Sequence, residues 1–196
     1  MSQSTEEMIR EWFRESVRIK EEFVSANIPV IKRAARVIAD SLNNGNKIVL
    51  FGNGGSAADA QHIACEFVNR FMMERPPLPA IALTTDTSIL TSISNDIDFS
   101  DIFSRQLKAL GEKGDVAIGI STSGKSTNVV KALQVAKDME IFSIGLTGGD
   151  GGEVALVADI CMIVPSDSTP HIQEVHITIG HLLCHLVDAY LFQLVE

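Results

Sequence analysis

The stretch Lys47-Ile48-Val49-Leu50-Phe51-Gly52-Asn53-Gly54-Gly55-Ser56-Ala57-Ala58-Asp59-Ala60 decides the fold. A short, mostly apolar β-branched run passes directly into a glycine-rich turn and then into helix-forming residues. Four similar runs follow, Ala80–Leu83, Val116–Ile120, Phe142–Leu146 and Ile160–Val164, and helical patterns open at Ser56, Thr87, Ser126 and Pro170. Runs that are apolar throughout suit strands covered on both faces. Their alternation with helices predicts an α/β fold with a parallel, doubly wound sheet. Upstream, apolar residues recur at helical spacing in two stretches, about Thr5 to Ala26 and Ile28 to Leu42. Pro29 would open the second, where its missing N–H costs little, and Asn43-Asn44-Gly45-Asn46 would end it. No repeat, linker or low-complexity segment interrupts the chain, so residues 1–196 read as a single domain, helical over 1–44 with an α/β core over 45–196. The first helices exceed what one small sheet needs, and they are expected to pack on other subunits.

A chain of 196 residues is long enough for one sizeable core. The formal net charge is -9 and no Lys/Arg run stands out, which argues against a surface that tracks nucleic-acid phosphates. An anionic ligand would depend on donors supplied locally. The polar, acidic N-terminal segment does not read as a signal peptide, and no apolar stretch is expected to reach the roughly 20 residues that span a bilayer. Cys65, Cys161 and Cys184 lack CxxC spacing, which suggests free thiols in a reducing compartment and a cytoplasmic location.

Two loops and one helix carry the candidate chemistry. The turn Gly52–Ser56 lies where α/β sheets bind ligands. Gly52-x-Gly54-x-x-Ala57 matches a dinucleotide fingerprint, but no strand ends in an acidic residue about 20 positions on, which speaks against it. A tight turn without a ligand is the plain alternative. His62 and Glu66 then share a helix face, as an acid/base pair, a metal ligand pair or an ordinary surface pair. In the second loop, Ser121, Thr122, Ser123 and Ser126 lead into a helix, which suits a phosphate cradle or simply a capping cluster. Gly119 to Ser126 also satisfies the P-loop pattern GxxxxGK[ST], with Asp86 as an ambiguous magnesium partner. The last helix carries four of the five histidines, His171, His176, His181 and His185, together with Gln173 and Glu174. Clustered imidazoles suggest proton or metal chemistry, while His176 and His185 read better as core or interface residues.

At these residues the chain resembles the phosphoheptose isomerases of the sugar-isomerase (SIS) domain family. The matching segments are Gly52 to His62, Asn95-Asp96 with Asp101 to Arg105, Gly119 to Ser126, and Ile172 to His176 with His181. The resemblance runs from about residue 5 to the end. It implies a three-layer α/β/α sandwich and interconversion of sedoheptulose 7-phosphate with glycero-manno-heptose 7-phosphate through an enediol, the first step toward the ADP-heptose of lipopolysaccharide cores. By position, Glu66 would be the base and His181 the acid. Ser56, Ser121, Ser123 and Ser126 would hold phosphate; Asn53, Gly54, Asn95, Asp96, Thr122 and Gln173 would contact substrate, as would Glu66. Some relatives bind zinc at positions matching His62, Glu66, Gln173 and His181. The resemblance also implies a homotetramer with sites between subunits, no nucleotide cofactor, and no nucleic-acid or membrane partner. His171 departs from the arginine usual at its position. Asn69-Arg70-Phe71 and Glu74 to Leu83 resemble a related protein that binds the replication initiator DnaA, the alternative reading.

Overall fold

The computed structural model describes residues 4–193. A helix, α1 (Thr5–Asn43), precedes a sheet of five parallel strands, β1 (Ile48–Gly52), β2 (Ala80–Ala82), β3 (Val116–Ser121), β4 (Phe142–Gly148) and β5 (Ile160–Val164). The connecting helices are α2 (Gly55–Val68), α3 (Thr87–Asp96), α4 (Ile102–Leu110), α5 (Thr127–Asp138) and α6 (Val154–Val157); α7 (Thr169–Phe192) closes the chain. The strands occur where the apolar runs placed them. Alternate side chains point to opposite faces, and both faces are buried. Ile48 and Leu50 join Ile38 of α1, Ile63 and Phe67 of α2 and Leu183 of α7 on one side. Val49 and Phe51 join Phe103 and Leu107 of α4 and Leu133 of α5 on the other. These are the three layers that the resemblance implies.

The strand order is β2-β1-β3-β4-β5. The chain steps outward from β1 to β2 and then returns to the other side of β1 for β3. The loops leaving β1 and β3 therefore diverge at a switch point, where α/β sheets form their ligand crevice. A pair of reciprocal amide hydrogen bonds joins them there: the Nδ2 of Asn53 and of Asn128 each donates to the other's Oδ1 at 2.9 Å.

Three expectations need correction. The two N-terminal helices are one, and Pro29 lies inside it. Proline removes the N–H that would bond the carbonyl of Ser25, but both residues are exposed, so water can satisfy that oxygen. Packing of the helix's second half, where Ile31, Ala34, Ala35 and Ile38 are buried, then carries it through. The second correction concerns α7, which is long and apolar enough to cross a membrane. Half of that apolar window is buried inside the domain, as fits a core helix. Third, α4, the short turn Phe99–Asp101 before it, and α6 were not foreseen.

His176 of α7 shows how that helix is fastened. It is fully buried, and its Nε2–H donates to the Thr147 carbonyl of β4 at 3.1 Å. Burial disfavours the imidazolium and pushes the pKa down to about 4, against a smaller upward pull from the Thr147 carbonyl. The unfolded chain, with an ordinary histidine near 6.5, takes up a proton that the folded chain refuses between those values. His176 therefore contributes stability that is fully present above pH 6.5 and is lost as pH falls toward 4, by about 3 kcal/mol. Denaturant unfolding of wild type and His176→Gln at pH 7.5 and pH 4.5 should show wild type losing more on acidification. A difference independent of pH would reject this account.

Candidate active site

The cradle is built at the carboxyl ends of β1 and β3. The Oγ atoms of Ser121 and Ser126 lie 2.9 Å apart, and the Ser123 hydroxyl accepts from the Lys125 N–H at 3.2 Å. Ser126 stands at the N-cap of α5 without making a side-chain cap, and Gly54 precedes α2 equally uncapped. By contrast, Ser4 and Asp86 cap α1 and α3 with their side chains. Ser121 and Ser126 thus meet each other and Ser126 leaves α5 uncapped, while Ser123 closes the turn onto Lys125. Two helix N-termini, whose dipoles favour an anion, open beside them. Asp86, the ambiguous magnesium partner, is engaged by the Ile89 N–H at 2.9 Å.

Backbone packing fixes this loop. Gly124 has φ +65°, and a Cβ there would overlap the Gly151 carbonyl; Gly152, at φ +53°, would collide reciprocally with Gly124. The Val154 N–H donates to the Gly124 carbonyl at 3.0 Å. A cavity of about 310 Å³ lies along one side of the loop, with Thr122, Ser123, Gly148, Gly149 and Thr169 in its wall. A second, about 330 Å³, lies on the other side against Asn53, Ser100, Ser126 and Asn128.

The proton-transfer candidates stand apart from these cavities, on α2 and α7. His62 Nε2 is 3.2 Å from Glu66 Oε1, and His181 Nε2 is 3.3 Å from His62 Nε2. Phe71 stacks on the His181 ring with centroids 5.5 Å apart. One ligand atom from each of His62, Glu66 and His181 falls within 4.8 Å of the others. Two donors that each lie 2.0–2.1 Å from a tetrahedral zinc are separated by roughly 3.3 Å. The observed spacings are of that size, and two imidazoles with a carboxylate are a zinc donor set. The three residues fit the metal.

Sequence reading missed Asp59, one turn before His62. It is half-buried, its Oδ2 has no hydrogen-bond partner among the described residues, and burial raises its pKa against the opposing charges of His62 and His181. Its place three residues ahead of His62 was the available signal.

The remaining expected residues divide. Ser56 is buried at the start of α2, its N–H donating to the Asn53 carbonyl at 3.0 Å. The Gln173 amide packs so closely on Gly55 that any side chain there would displace it. Gln173 therefore faces the cradle end of α2. It lies eight residues, about 12 Å of helix rise, before His181. Asn95 and Asp96 are exposed at the end of α3, where Asn95 Nδ2 donates to Asp96 Oδ1 at 2.7 Å, and neither lines the two cavities. His171 is buried beneath Trp12, with ring centroids 4.5 Å apart, and Nδ1 bonds the Ser168 hydroxyl at 3.0 Å. It lines neither of the two cavities. Beside it Glu174 accepts from the Ser16 hydroxyl and from Trp12 Nε1, and the Ser16 bond chiefly holds its carboxyl below the usual range.

The SIS domain family model matches residues 11–148. The phosphoheptose isomerase of Thermodesulfovibrio yellowstonii is 57% identical over 189 residues, covering 96% of this chain and 94% of that one. The solved phosphoheptose isomerase of Neisseria gonorrhoeae superposes with a TM-score of 0.89 at 43% identity, covering 95% of this chain and all of the other. That of Francisella tularensis gives 0.91 at 42%, covering 95% and 99%.

Proposed function

This chain belongs to the SIS domain family and, within it, to the phosphoheptose isomerases, and we propose that it interconverts D-sedoheptulose 7-phosphate and D-glycero-D-manno-heptose 7-phosphate. It is an aldose–ketose isomerase of sugar phosphates. The observation that carries the specific reading is the convergence of His62, Glu66 and His181 from two helices, with a serine cradle at the adjoining sheet ends. The initiator-binding alternative has no support in the relatives above.

The carbonyl moves from C2 to C1. The Glu66 carboxylate removes a proton from C1 of the ketose, and His181 protonates the C2 oxygen, so the electron pair of the broken C–H bond forms the enediol. Glu66 then returns the proton to C2 while His181, now neutral, takes the C1 hydroxyl proton, leaving the aldose and both residues as they began. Each positioned proton transfer is typically worth ~10²–10⁴-fold. Ser56, Ser121, Ser123 and Ser126 hold the phosphate, and Asn53, Gly54, Thr122, Asn95 and Asp96 engage the sugar. Gln173, beside Gly55 at the cradle end, would contact substrate and complete the metal set where one subunit's cradle meets another's proton-transfer residues. His62, Glu66 and His181 would hold zinc, which would supply Lewis-acid polarisation of the carbonyl in place of the proton from His181.

Ser56 and Glu66 are ten residues apart on α2, about 15 Å of helix rise. That separation supports a homotetramer in which one subunit's cradle meets another's proton-transfer residues. The exposed apolar residues of α1, including Met8, Ile9, Trp12, Phe13 and Val17, supply a surface for such packing. The same reading places the enzyme in the cytoplasm, at the entry to lipopolysaccharide heptose synthesis.

Purified protein should bring down about one zinc per chain, run as four chains by light scattering, and form the aldose phosphate from sedoheptulose 7-phosphate. A chelator should abolish turnover and zinc should restore it. No product from either zinc-loaded or chelated protein would overturn the isomerase reading; full activity after complete zinc removal would overturn the metal assignment alone.

A further inference from the structure

Glu66 and His181 lie on different helices, so their alignment depends on how α2 and α7 are joined. Apolar packing of Ile63 and Phe67 against Leu183 holds them together, and one side chain from the loop after α2 adds a polar tie between them. The side chain of Arg75 is buried and each nitrogen of its guanidinium is engaged: Nε donates to Asp188 Oδ1 at 2.7 Å, Nη2 to the Glu66 carbonyl at 2.9 Å, and Nη1 to the carbonyls of Phe67 at 2.8 Å and Pro76 at 3.1 Å. The last carbonyls of a helix have no partner within it, and here a cation caps them, as the helix dipole favours. The helix thus ends two residues past Glu66, with the peptide of Glu66 itself held by the guanidinium. Asp188 lies seven residues, two helical turns, beyond His181 on α7. It is buried, its Oδ2 has no partner among the described residues, and Arg75 is the cation it faces.

We propose that Arg75 is a positioning residue for the isomerisation, a strut that sets the Glu66 carboxylate against His181. The inference rests on the isomerase reading. Only a planar fork with five donors can serve two helix carbonyls and a carboxylate at once; a lysine ammonium offers three donors from one point. A misplacement of about 1 Å at reacting groups can cost 10²-fold in rate. The cradle on β3 and α5 is untouched by Arg75, so substrate binding should survive its loss.

The test is steady-state kinetics of wild type, Arg75→Lys and Asp188→Asn, each shown by circular dichroism to be folded at the assay temperature. A core variant of the opposite layer, Leu133→Ala, serves as a stability control. Expected is a fall in kcat of about 10–100-fold for Arg75→Lys with KM within about threefold, whereas Leu133→Ala keeps kcat within about twofold while melting lower. If Arg75→Lys is not recovered folded, Asp188→Asn carries the test, because it keeps an oxygen acceptor for Nε and removes only the charge. Folded variants with wild-type kcat, or kcat losses no larger than those of a comparably destabilised Leu133→Ala, would overturn the inference. A wild type without turnover would overturn the isomerase reading and this inference with it; an active wild type beside an equally active Arg75→Lys would overturn this inference alone.

Discussion

Glu66→Gln is expected to lower kcat by at least 10²–10⁴-fold while KM for sedoheptulose 7-phosphate changes little. The carboxylate serves both halves of the reaction, taking the proton from C1 and delivering it to C2, and an amide of the same shape accepts no proton near neutral pH. Its contribution to phosphate binding is small, because the phosphate at the far end of the sugar is held by the serine cradle of another subunit. The rate should be measured together with zinc content. A variant that keeps its metal and loses its rate identifies a base; one that loses both identifies Glu66 chiefly as a ligand. A near-normal rate with metal retained would remove Glu66 from the chemistry and leave His181 to be tested in its place.

Ser121→Ala combined with Ser123→Ala should show the opposite signature, a rise in KM on the order of 10²-fold with kcat much less affected. Hydrogen bonds to a charged partner are worth about 1.5–3 kcal/mol each, or about 10–150-fold in binding. Full additivity is not expected, since Ser121 already shares a hydrogen bond with Ser126 at 2.9 Å and the two hydroxyls act as a unit. A loss that appears in KM alone belongs to binding made equally in ground and transition states. Unchanged KM would mean that the phosphate lies elsewhere and that the serine loop is only a turn.

Strands were the most legible part of the fold. Each is a short apolar run bounded by polar or glycine-rich residues, and β5 occupies Ile160–Val164 as read. Residues 97–110 were harder, because Asp98, Ser100 and Asp101 break the apolar rhythm and Gln106, though buried, is polar. It earns its place by donating to the carbonyls of Leu83 and Ile102. Pro29 misled in the other direction: the local rule puts proline at a helix start, while tertiary packing on either side kept α1 whole. As for the site, the two loops could be found from local pattern, since glycine and serine clusters between strand and helix carry their own physical meaning. The pairing of His62 with His181 could not, because 119 residues separate them, and the family resemblance alone brought them together beforehand. The Arg75–Asp188 strut was invisible for the same reason, across 113 residues. Nothing in a lone arginine of a proline-rich loop announces that it caps one helix and neutralises another.

The contact between Gly124 and the Gly151–Gly152 turn has a consequence for descent with modification. Both positions hold a backbone conformation that side chains rarely adopt, and each occupies the space into which the other's first side-chain carbon would grow. A mutation at either one meets a fixed wall of main chain, which no neighbouring side-chain change can relieve. The two loops can therefore depart from glycine only by moving together, through an insertion or deletion that reshapes the whole cradle.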